Sequence, residues 1–418
     1  MVKKIALSFI VSASLLNAAG YKVPEQSSDS LALASSNVAT SFGPDAAYYN
    51  PANMMFLPDT RHYFENTVAW FHIAPLKFKT DNGREFKSNK FDSLATTFHF
   101  VSPEYYENWR FGLSLAVPAA VGIGWRDSDP AFTGKHFKLK VVELNPSVAY
   151  RVTDNFAIAA GARAVYSEGR IVTELYGAGE RAIWGDGIDY GYNVAMTYKP
   201  TENWSLAATY RSKIDLNLKG SADISTTNPA LASMLNYSGS ASVSIPLPAV
   251  LTLATSYKIA DTTLLFAYDR TYWSAFNGYD FEYDGAPSNT MFAQLFDDRV
   301  ERTYRDTNTF RFGVAHDLNE KVRLMAGFVY DQKAAKDSKS SSFDLPDSNS
   351  RAYSLGVNYK FSENLELAFS GLYQTRQSAN ANLKVMQGSR FPSRSADVSG
   401  EFEKGKIWIL GLGLKYKF

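Results

Sequence analysis

Trp408, Leu410, Leu412, Leu414, Tyr416 and Phe418 fall on one face of an extended backbone, while Gly411, Gly413, Lys415 and Lys417 fall on the other. The same period of two runs through Phe156, Ile158, Ala160, Ala162, Ala164 and Tyr166 against Arg163 and Ser167. It recurs in Val322, Leu324, Ala326, Phe328 and Tyr330 against Arg323 and Asp331, and in Tyr353, Leu355, Val357, Tyr359 and Phe361 against Ser354, Asn358 and Lys360. Successive side chains of a strand point to opposite sides, so each run reads as a strand with one apolar face. A half-buried soluble strand alternates for about five or six residues. These runs reach the ~9–11 that a tilted membrane strand needs, and many begin or end in Tyr, Trp or Phe, as an interfacial girdle does.

Connections of two lengths alternate. Short polar turns stand at Thr153-Asp154-Asn155, Thr201-Glu202-Asn203, Ala260-Asp261-Thr262, Asn319-Glu320 and Ser362-Glu363-Asn364. Long polar segments lie between them, near 126–136, 172–188, 219–240, 274–306, 332–350 and 376–404. Short turns on one rim and long loops on the other describe an outer-membrane barrel, and a β-sandwich has no reason to sort its loops so strictly. Strands are expected near 62–79, 91–101, 109–125, 137–152, 156–171, 188–199, 204–218, 241–259, 263–274, 307–317, 321–332, 351–361, 365–377 and 405–418. That is an even fourteen, as a single-chain bacterial barrel requires, and closure leaves no backbone group unpaired in lipid.

Ahead of the barrel, Lys3 and Lys4 precede an apolar run from Ile5 to Leu16, followed by the small residues Ala18 and Ala19. This is the order of a secretory signal, and the run is shorter than the ~20 residues of a membrane helix. The expected organisation is a signal over 1–18, a plug over 19–60 and a barrel over 61–418. The 19–60 stretch is rich in Ser and Ala, does not alternate, and clusters Leu31, Leu33, Met54, Met55, Phe56 and Leu57. A barrel of this size encloses a lumen that its own side chains do not fill, and this stretch is long enough to close it.

Composition removes other classes. Lys+Arg total 43 and Asp+Glu 42, a net charge of +1, so no broad field points to a nucleic-acid partner. The absence of cysteine excludes a thiol nucleophile and thiolate metal sites, and the histidines, His62, His72, His99, His136 and His316, are not spaced as a metal pair. Gly400 to Lys406 has the spacing of a phosphate loop, but Ile407 replaces the required hydroxyl residue and a strand follows instead of a helix. No cofactor, metal or catalytic set is expected, and the chain reads as a non-enzyme.

Ala19-Gly20-Tyr21, the Ser/Ala-rich stretch, then Asp45-Ala46-Ala47-Tyr48-Tyr49-Asn50-Pro51-Ala52-Asn53-Met54 and fourteen strands ending in Phe418 resemble the FadL family. These are outer-membrane transporters for long-chain fatty acids and other hydrophobic compounds, including aromatic hydrocarbons. The resemblance covers the mature chain, and its specific part is Asn50-Pro51-Ala52 in that context; Asn228-Pro229-Ala230 repeats the tripeptide inside a loop. The resemblance implies a hatch inside the barrel, with Asn50, Pro51 and Ala52 packed against the wall. Asn can hydrogen-bond its own backbone two residues on, Pro fixes φ and Ala permits close approach.

The third strand alternates to Val117 and then breaks at Pro118-Ala119-Ala120-Val121-Gly122. Proline removes a ladder donor and glycine weakens pairing, so both mark a bulge, a kink or an edge. By the resemblance this strand is kinked and leaves a gap through which substrate exits sideways into the membrane, with Pro118, Ala119, Ala120 and Gly122 at the kink. The family's capture groove would lie on the loops after the fifth and seventh strands, here carrying Leu175, Tyr176, Ile183, Trp184, Leu231, Met234, Leu235 and Tyr237. Its inner pocket would meet a carboxylate with basic groups. Arg170 is the nearest basic residue, while the family's head-group position falls near Thr173, which leaves neutral hydrocarbons open. Tyr21 matches an aromatic near the pocket, and Met54, Met55 and Phe56 are apolar candidates from the hatch.

The reading is passive uptake of a long-chain fatty acid or hydrophobic hydrocarbon by a monomer set in outer-membrane lipid. The alternatives are a porin-like channel for polar solutes and a barrel hydrolase. The terminal Phe418, with Tyr416 and Leu414 on its face, resembles the signal read by the barrel assembly machinery. An alkyl chain of ~15 carbons gains on the order of 12 kcal/mol on leaving water, so an apolar route into lipid runs downhill without an energy source.

Overall fold

The computed structural model describes residues 20–418 apart from 59, 176–177 and 385–396; the expected signal lies outside the described residues. Its wall has fourteen antiparallel strands. They are β1 Tyr63–Ile73, β2 Phe91–Val101, β3 Trp109–Ile123, β4 His136–Thr153, β5 Phe156–Glu174 and β6 Gly179–Thr201. β7 comes in two pieces, Trp204–Arg211 and Ile214–Thr226, as does β8, Tyr237–Leu247 and Val250–Ile259. β9 Thr262–Thr271, β10 Thr307–Asp317, β11 Val322–Asp331, β12 Ser350–Lys360, β13 Leu365–Arg376 and β14 Lys406–Lys417 complete it. β14 pairs with β13 on one side and with β1 on the other, Tyr63 facing Lys417 and Ile73 facing Ile407, which closes the cylinder.

The alternation sorts lipid from lumen. On β14, Trp408, Leu410, Leu412, Leu414 and Tyr416 are exposed outward, while Lys415 is buried inward. Gly411 and Gly413 on the inward face lie where the plug touches the wall: a Cβ on Gly413 would sit 2.4 Å from Ser28 Oγ, and one on Gly411 2.7 Å from Leu31 Cδ2.

Several elements differ from expectation. The first strand ends at Ile73, and Lys77–Thr80 instead joins Glu85–Lys87 and Asp397–Phe402 in a separate small sheet. β6 starts at Gly179, well before the expected 188, and β7 continues to Thr226. These extensions carry charged and glycine residues past the apolar band, so they keep the ladder without the apolar alternation. The seventh and eighth strands are each interrupted, at 212–213 and at 248–249, with the register between them unchanged: Arg211 faces Val250 and Ile214 faces Leu247. Pro248, with no N–H, stands at the interruption.

Residues 20–57 fill the lumen. Ser27 caps helix α1, Ser28–Ala32, with its side chain accepting from the Ser30 N–H while the Ser30 hydroxyl accepts from the Ser27 N–H. Helix α2, Ala46–Tyr49, leads into a 3-10 turn, Pro51–Phe56.

Candidate functional site

Asn50 begins that 3-10 turn, its side chain accepting from the Ala52 N–H at 3.2 Å, with Pro51 supplying the first turn's fixed φ. Asn50 Nδ2 also donates to Val38 O and to Thr197 Oγ1 of β6, both at 2.8 Å, so one amide ties two parts of the plug to the wall. Asn228 makes the same local bond to the Ala230 N–H at 3.1 Å, but on an exposed loop. The tripeptide thus encodes a turn, and burial makes it an anchor.

Charge fixes the plug elsewhere. Asp29 receives Lys415 Nζ of β14 at 2.6 Å and Asn358 Nδ2 of β12 at 2.8 Å, and Lys415 also meets Glu366 at 2.9 Å. Arg311 of β10 donates to Ala34 O, Arg211 of β7 to Tyr48 O, and Arg110 of β3 to Met54 O. Burial raises the Asp29 carboxyl, but the charge of Lys415 and the hydrogen bonds from Lys415 and Asn358 outweigh it and hold the group below its ordinary range. Asp45, bonded to Ser27 and Asn37, is pushed up to about 7 by burial and by the charge of Asp29.

The wall is open at β3. β2 pairs with β3 only from Phe98–Leu115 to Val101–Gly112. Phe91 to Thr97 have no ladder partner on β3, and contact resumes where Asn89 N–H donates to Gly124 O at 2.8 Å. On its other side β3 slips register against β4 between Ala116 and Ala119, which places a bulge at Val117 and Pro118. Gly122 keeps a regular pair with Lys138, so the distortion belongs to the proline rather than the glycine.

The plug supplies the partner that β2 does not. Val23 N–H donates to Pro118 O and Ala120 N–H to Tyr21 O, both at 2.9 Å, with Lys22 opposite Ala119. Gln26 completes the edge: its Nε2 donates to Val117 O at 3.0 Å and its Oε1 accepts from Val117 N–H at 2.7 Å. His99 of β2 contacts Gln26 O at 2.8 Å. Tyr21 is buried edge-on to the rings of Trp273 and Phe276, its hydroxyl donates to Pro246 O, and burial raises its pKa. Gly20 beside it has φ +79, and any Cβ there would collide with the Trp273 indole.

Three cavities descend toward this place from the long-loop end. The first, about 340 Å³, is lined by Phe132, Leu175, Phe296, Val300, Arg181 and Arg302. Arg181 lies over the Phe281 and Phe296 rings and donates to Thr173 Oγ1 at 3.2 Å. The second, about 40 Å³, is bounded by Leu139, Ile171, Ile183, Leu218, Val243 and Phe281. The third, about 100 Å³, lies between plug and wall, with Val23, Pro24, Leu247 and Pro248 on its apolar side. Its cations are Lys22, Arg163, Arg211 and Arg311. Glu143 bridges Arg163 and Arg211, and Asp269 meets Arg311 at 3.1 Å. The last two adjoin along β8, because Val243 and Ile245 line the second and Leu247 of the same strand lines the third.

The residues expected from sequence separate into groups. Tyr21, Pro118, Ala119 and Ala120 meet at the open edge. Arg170 and Trp184 border the second cavity as register partners, but their side chains are exposed, while their neighbours Ile171 and Ile183 are buried inward. Met54 and Met55 are buried against Ala149, Ala157 and Ala195 at the short-turn end, and Phe56 lies under Lys199, so they form the floor of the plug and line none of the three cavities. Leu235 is buried among loop residues and lines none of them either, and Tyr176 lies outside the described residues. Sequence reading missed the role of Arg163, Arg211 and Arg311, whose signal is a lone cation among inward-facing strand residues. Among the described residues no group of His, Cys, Asp and Glu could hold a metal.

A family model described as outer membrane protein transport protein (OMPP1/FadL/TodX) matches residues 9–418. The long-chain fatty acid transport protein of Escherichia coli strain CFT073 is 22% identical over 360 residues, covering 77% of this chain and 76% of that one. A Pseudomonas aeruginosa FadL homologue superposes with a TM-score of 0.82 at 21% identity, covering 96% of this chain and 100% of the other. The Ralstonia pickettii toluene transporter TbuX gives a TM-score of 0.70 at 18% identity, covering 94% and 98%. With the family model matched over nearly its whole length, the chain belongs to the OMPP1/FadL/TodX family of outer-membrane transport proteins.

Proposed function

We propose that this outer-membrane transporter carries long-chain fatty acids, or closely related hydrophobic acids, passively from the outside to the lateral gap at β3. The observation that carries the reading is the coincidence of three features: an unpaired stretch of wall, a plug segment that covers it, and a cavity behind both with one apolar side and one cationic side. The ligand enters among the long loops, passes the apolar second cavity and reaches the third with its tail against Val23, Pro24 and Leu247. Release of Tyr21 to Gln26 from β3 then exposes the gap, and the tail moves into lipid down its transfer gradient of ~0.8 kcal/mol per methylene.

The cations favour an acid over a neutral hydrocarbon such as toluene, although Glu143 and Asp269 already answer part of their charge. A guanidinium presents a fork that matches a carboxylate. The test compares oleate with methyl oleate, which keeps the tail and loses the charge. Arg211→Gln is expected to weaken oleate binding by about tenfold or more relative to the wild-type protein while changing methyl oleate little. Equal loss for both ligands would show that Arg211 only holds the plug, and the acid reading would fall.

A further inference from the structure

The outward face of the wall changes character at one level. Outward residues on β5 run Ile158, Ala160, Ala162, Ala164, Tyr166 and then Glu168 and Arg170. On β4 the order is Tyr150, Val148, Pro146, Leu144, Val142 and then Lys140 and Lys138. On β6 it is Tyr198, Met196, Val194, Tyr192, Tyr190, Ile188 and then Asp186 and Trp184. Ile158 to Tyr166 spans ~20 Å of height at ~3.3 Å per residue and a tilt of ~40°, most of an apolar band ~25 Å tall. Lys140, Glu168 and Asp186 therefore stand at the outer rim of the acyl region, and Lys138, Arg170 and Trp184 stand one step beyond, at headgroup height.

The two rows are neutralised differently. In the lower row Lys140 faces Glu168, Glu168 faces Asp186, and Asp186 faces Lys219, so cations and carboxylates balance. In the upper row Lys138 faces Arg170, and Arg170 faces the half-exposed Trp184. Like charges directly opposite each other on a sheet destabilise it. No ion pair engages either Lys138 or Arg170 among the described residues, and His136 is the next outward residue on β4. A pair of cations held together without a counter-charge, on a face that meets lipid headgroups, calls for an anion from the membrane.

We propose that Lys138 and Arg170, flanked by Trp184, bind a phosphate of a phosphorylated glycolipid in the outer leaflet. The guanidinium fork takes two phosphate oxygens and the ammonium adds a point charge. The Trp184 ring has the amphipathic character of residues that sit at this interface. Below the site Tyr166, Ile188 and Tyr190 offer an apolar bed for the acyl chains. Because Lys138 faces Gly122 of β3, the bound lipid would stand beside the open edge of the wall. This inference does not depend on which solute the lumen carries.

The experiment is native mass spectrometry of the purified barrel in detergent with diphosphoryl hexa-acyl lipid A as probe. A one-to-one adduct is expected, with its apparent affinity falling about tenfold or more in the double variant K138Q/R170Q. The charge-preserving K138R/R170K should retain it, and K213Q, which removes a cation paired with Asp215 elsewhere on the wall, should leave it unchanged. Heat-modifiable gel mobility checks that each variant is folded. Equal adducts in K138Q/R170Q and the wild-type protein would overturn the proposal. So would displacement of the lipid by an equal concentration of inorganic phosphate, which would reveal a simple anion site, or by oleate, which would assign the cations to the transported solute.

Discussion

The chain has no cysteine, so a disulfide can be placed where the plug meets the wall without competing thiols. Lys22 and Ala119 form the pair between the bonds Val23 N–H to Pro118 O and Ala120 N–H to Tyr21 O. That is a non-hydrogen-bonded antiparallel pair, for which Cα atoms stand ~4.5 Å apart, at the near end of the ~4.4–6.8 Å that a disulfide tolerates. Seven hydrogen bonds hold residues 21–26 to the wall: the two backbone bonds, two between Gln26 and Val117, and those joining the Tyr21 hydroxyl to Pro246 O, His99 to Gln26 O and Lys22 Nζ to Thr271 Oγ1. At ~1 kcal/mol each they make opening cost about 7 kcal/mol, an open population of roughly one in a hundred thousand. A ligand tail gains on the order of 12 kcal/mol on leaving water, enough to shift that balance if it favours the open state. The double variant K22C/A119C should therefore lose labelled oleate uptake to background when oxidised and recover it with dithiothreitol. K22C alone controls for the lost bond from Lys22 Nζ to Thr271 Oγ1. Uptake by the oxidised pair at the reduced rate would refute the reasoning, because the segment would then not need to leave β3.

Replacing residues 118–122 with a regularly alternating strand should restore β2–β3 pairing and abolish hydrophobic uptake while the barrel still shows heat-modifiable mobility; unchanged uptake would remove the side gate. Deleting 25–57 should leave a folded barrel with raised single-channel conductance, and a high conductance in the intact protein would contradict the plugged reading. Asp45 sits at about 7 in the folded plug against an ordinary 3.8, so the folded form holds a proton that the released form gives up across that interval. Plug docking should accordingly weaken as pH rises from about 4 to 7 and level off above, since stability falls where the folded state binds more protons. Asp45→Asn, with Asp29, Lys415 and Glu65 left in place around it, should flatten that slope in thermal melts, and an unaltered slope would assign it to other groups.

The outer face of the barrel was legible because lipid imposes one demand on every strand. Trp408 to Phe418 and Phe156 to Tyr166 alternate over their whole membrane-spanning length, and the strands lie where that alternation places them. The inner face answers to many partners, and there the pattern is silent. Gly411 and Gly413 read as polar-side filler, yet each is small because α1 approaches within van der Waals distance. The cations of the third cavity sit at positions 22, 163, 211 and 311, brought together only by the register of strands whose pairing is not local. Arg170 was the nearest cation in sequence, but one step of the strand period turns it to the outside. Pro118 was legible because a missing N–H is a local property, whereas the segment that takes over the vacated ladder lies about a hundred residues earlier in the chain.

The plug is held with unequal strength along its length, and this separates a lateral exit from a through-pore. Residues 21–26 meet β3 through neutral hydrogen bonds, each worth ~1 kcal/mol and each replaceable by a neighbouring donor or by water. Further along, Asp29 is locked to Lys415 of β14, Asn50 to Thr197 of β6, and Met54 to Arg110 of β3, all buried. Removing one partner of a buried ion pair costs on the order of 3–5 kcal/mol because the other charge stays desolvated. A ligand that displaces the first segment therefore meets a far higher barrier if it continues downward than if it turns toward the unpaired edge of β2. On the proposed route the edge segment leaves β3 by breaking neutral hydrogen bonds, Lys22 apart, while Asp29, Asn50 and Met54 stay tied to the wall, so opening the side would leave the floor shut and let hydrophobic solute pass without a hydrated channel forming beneath it.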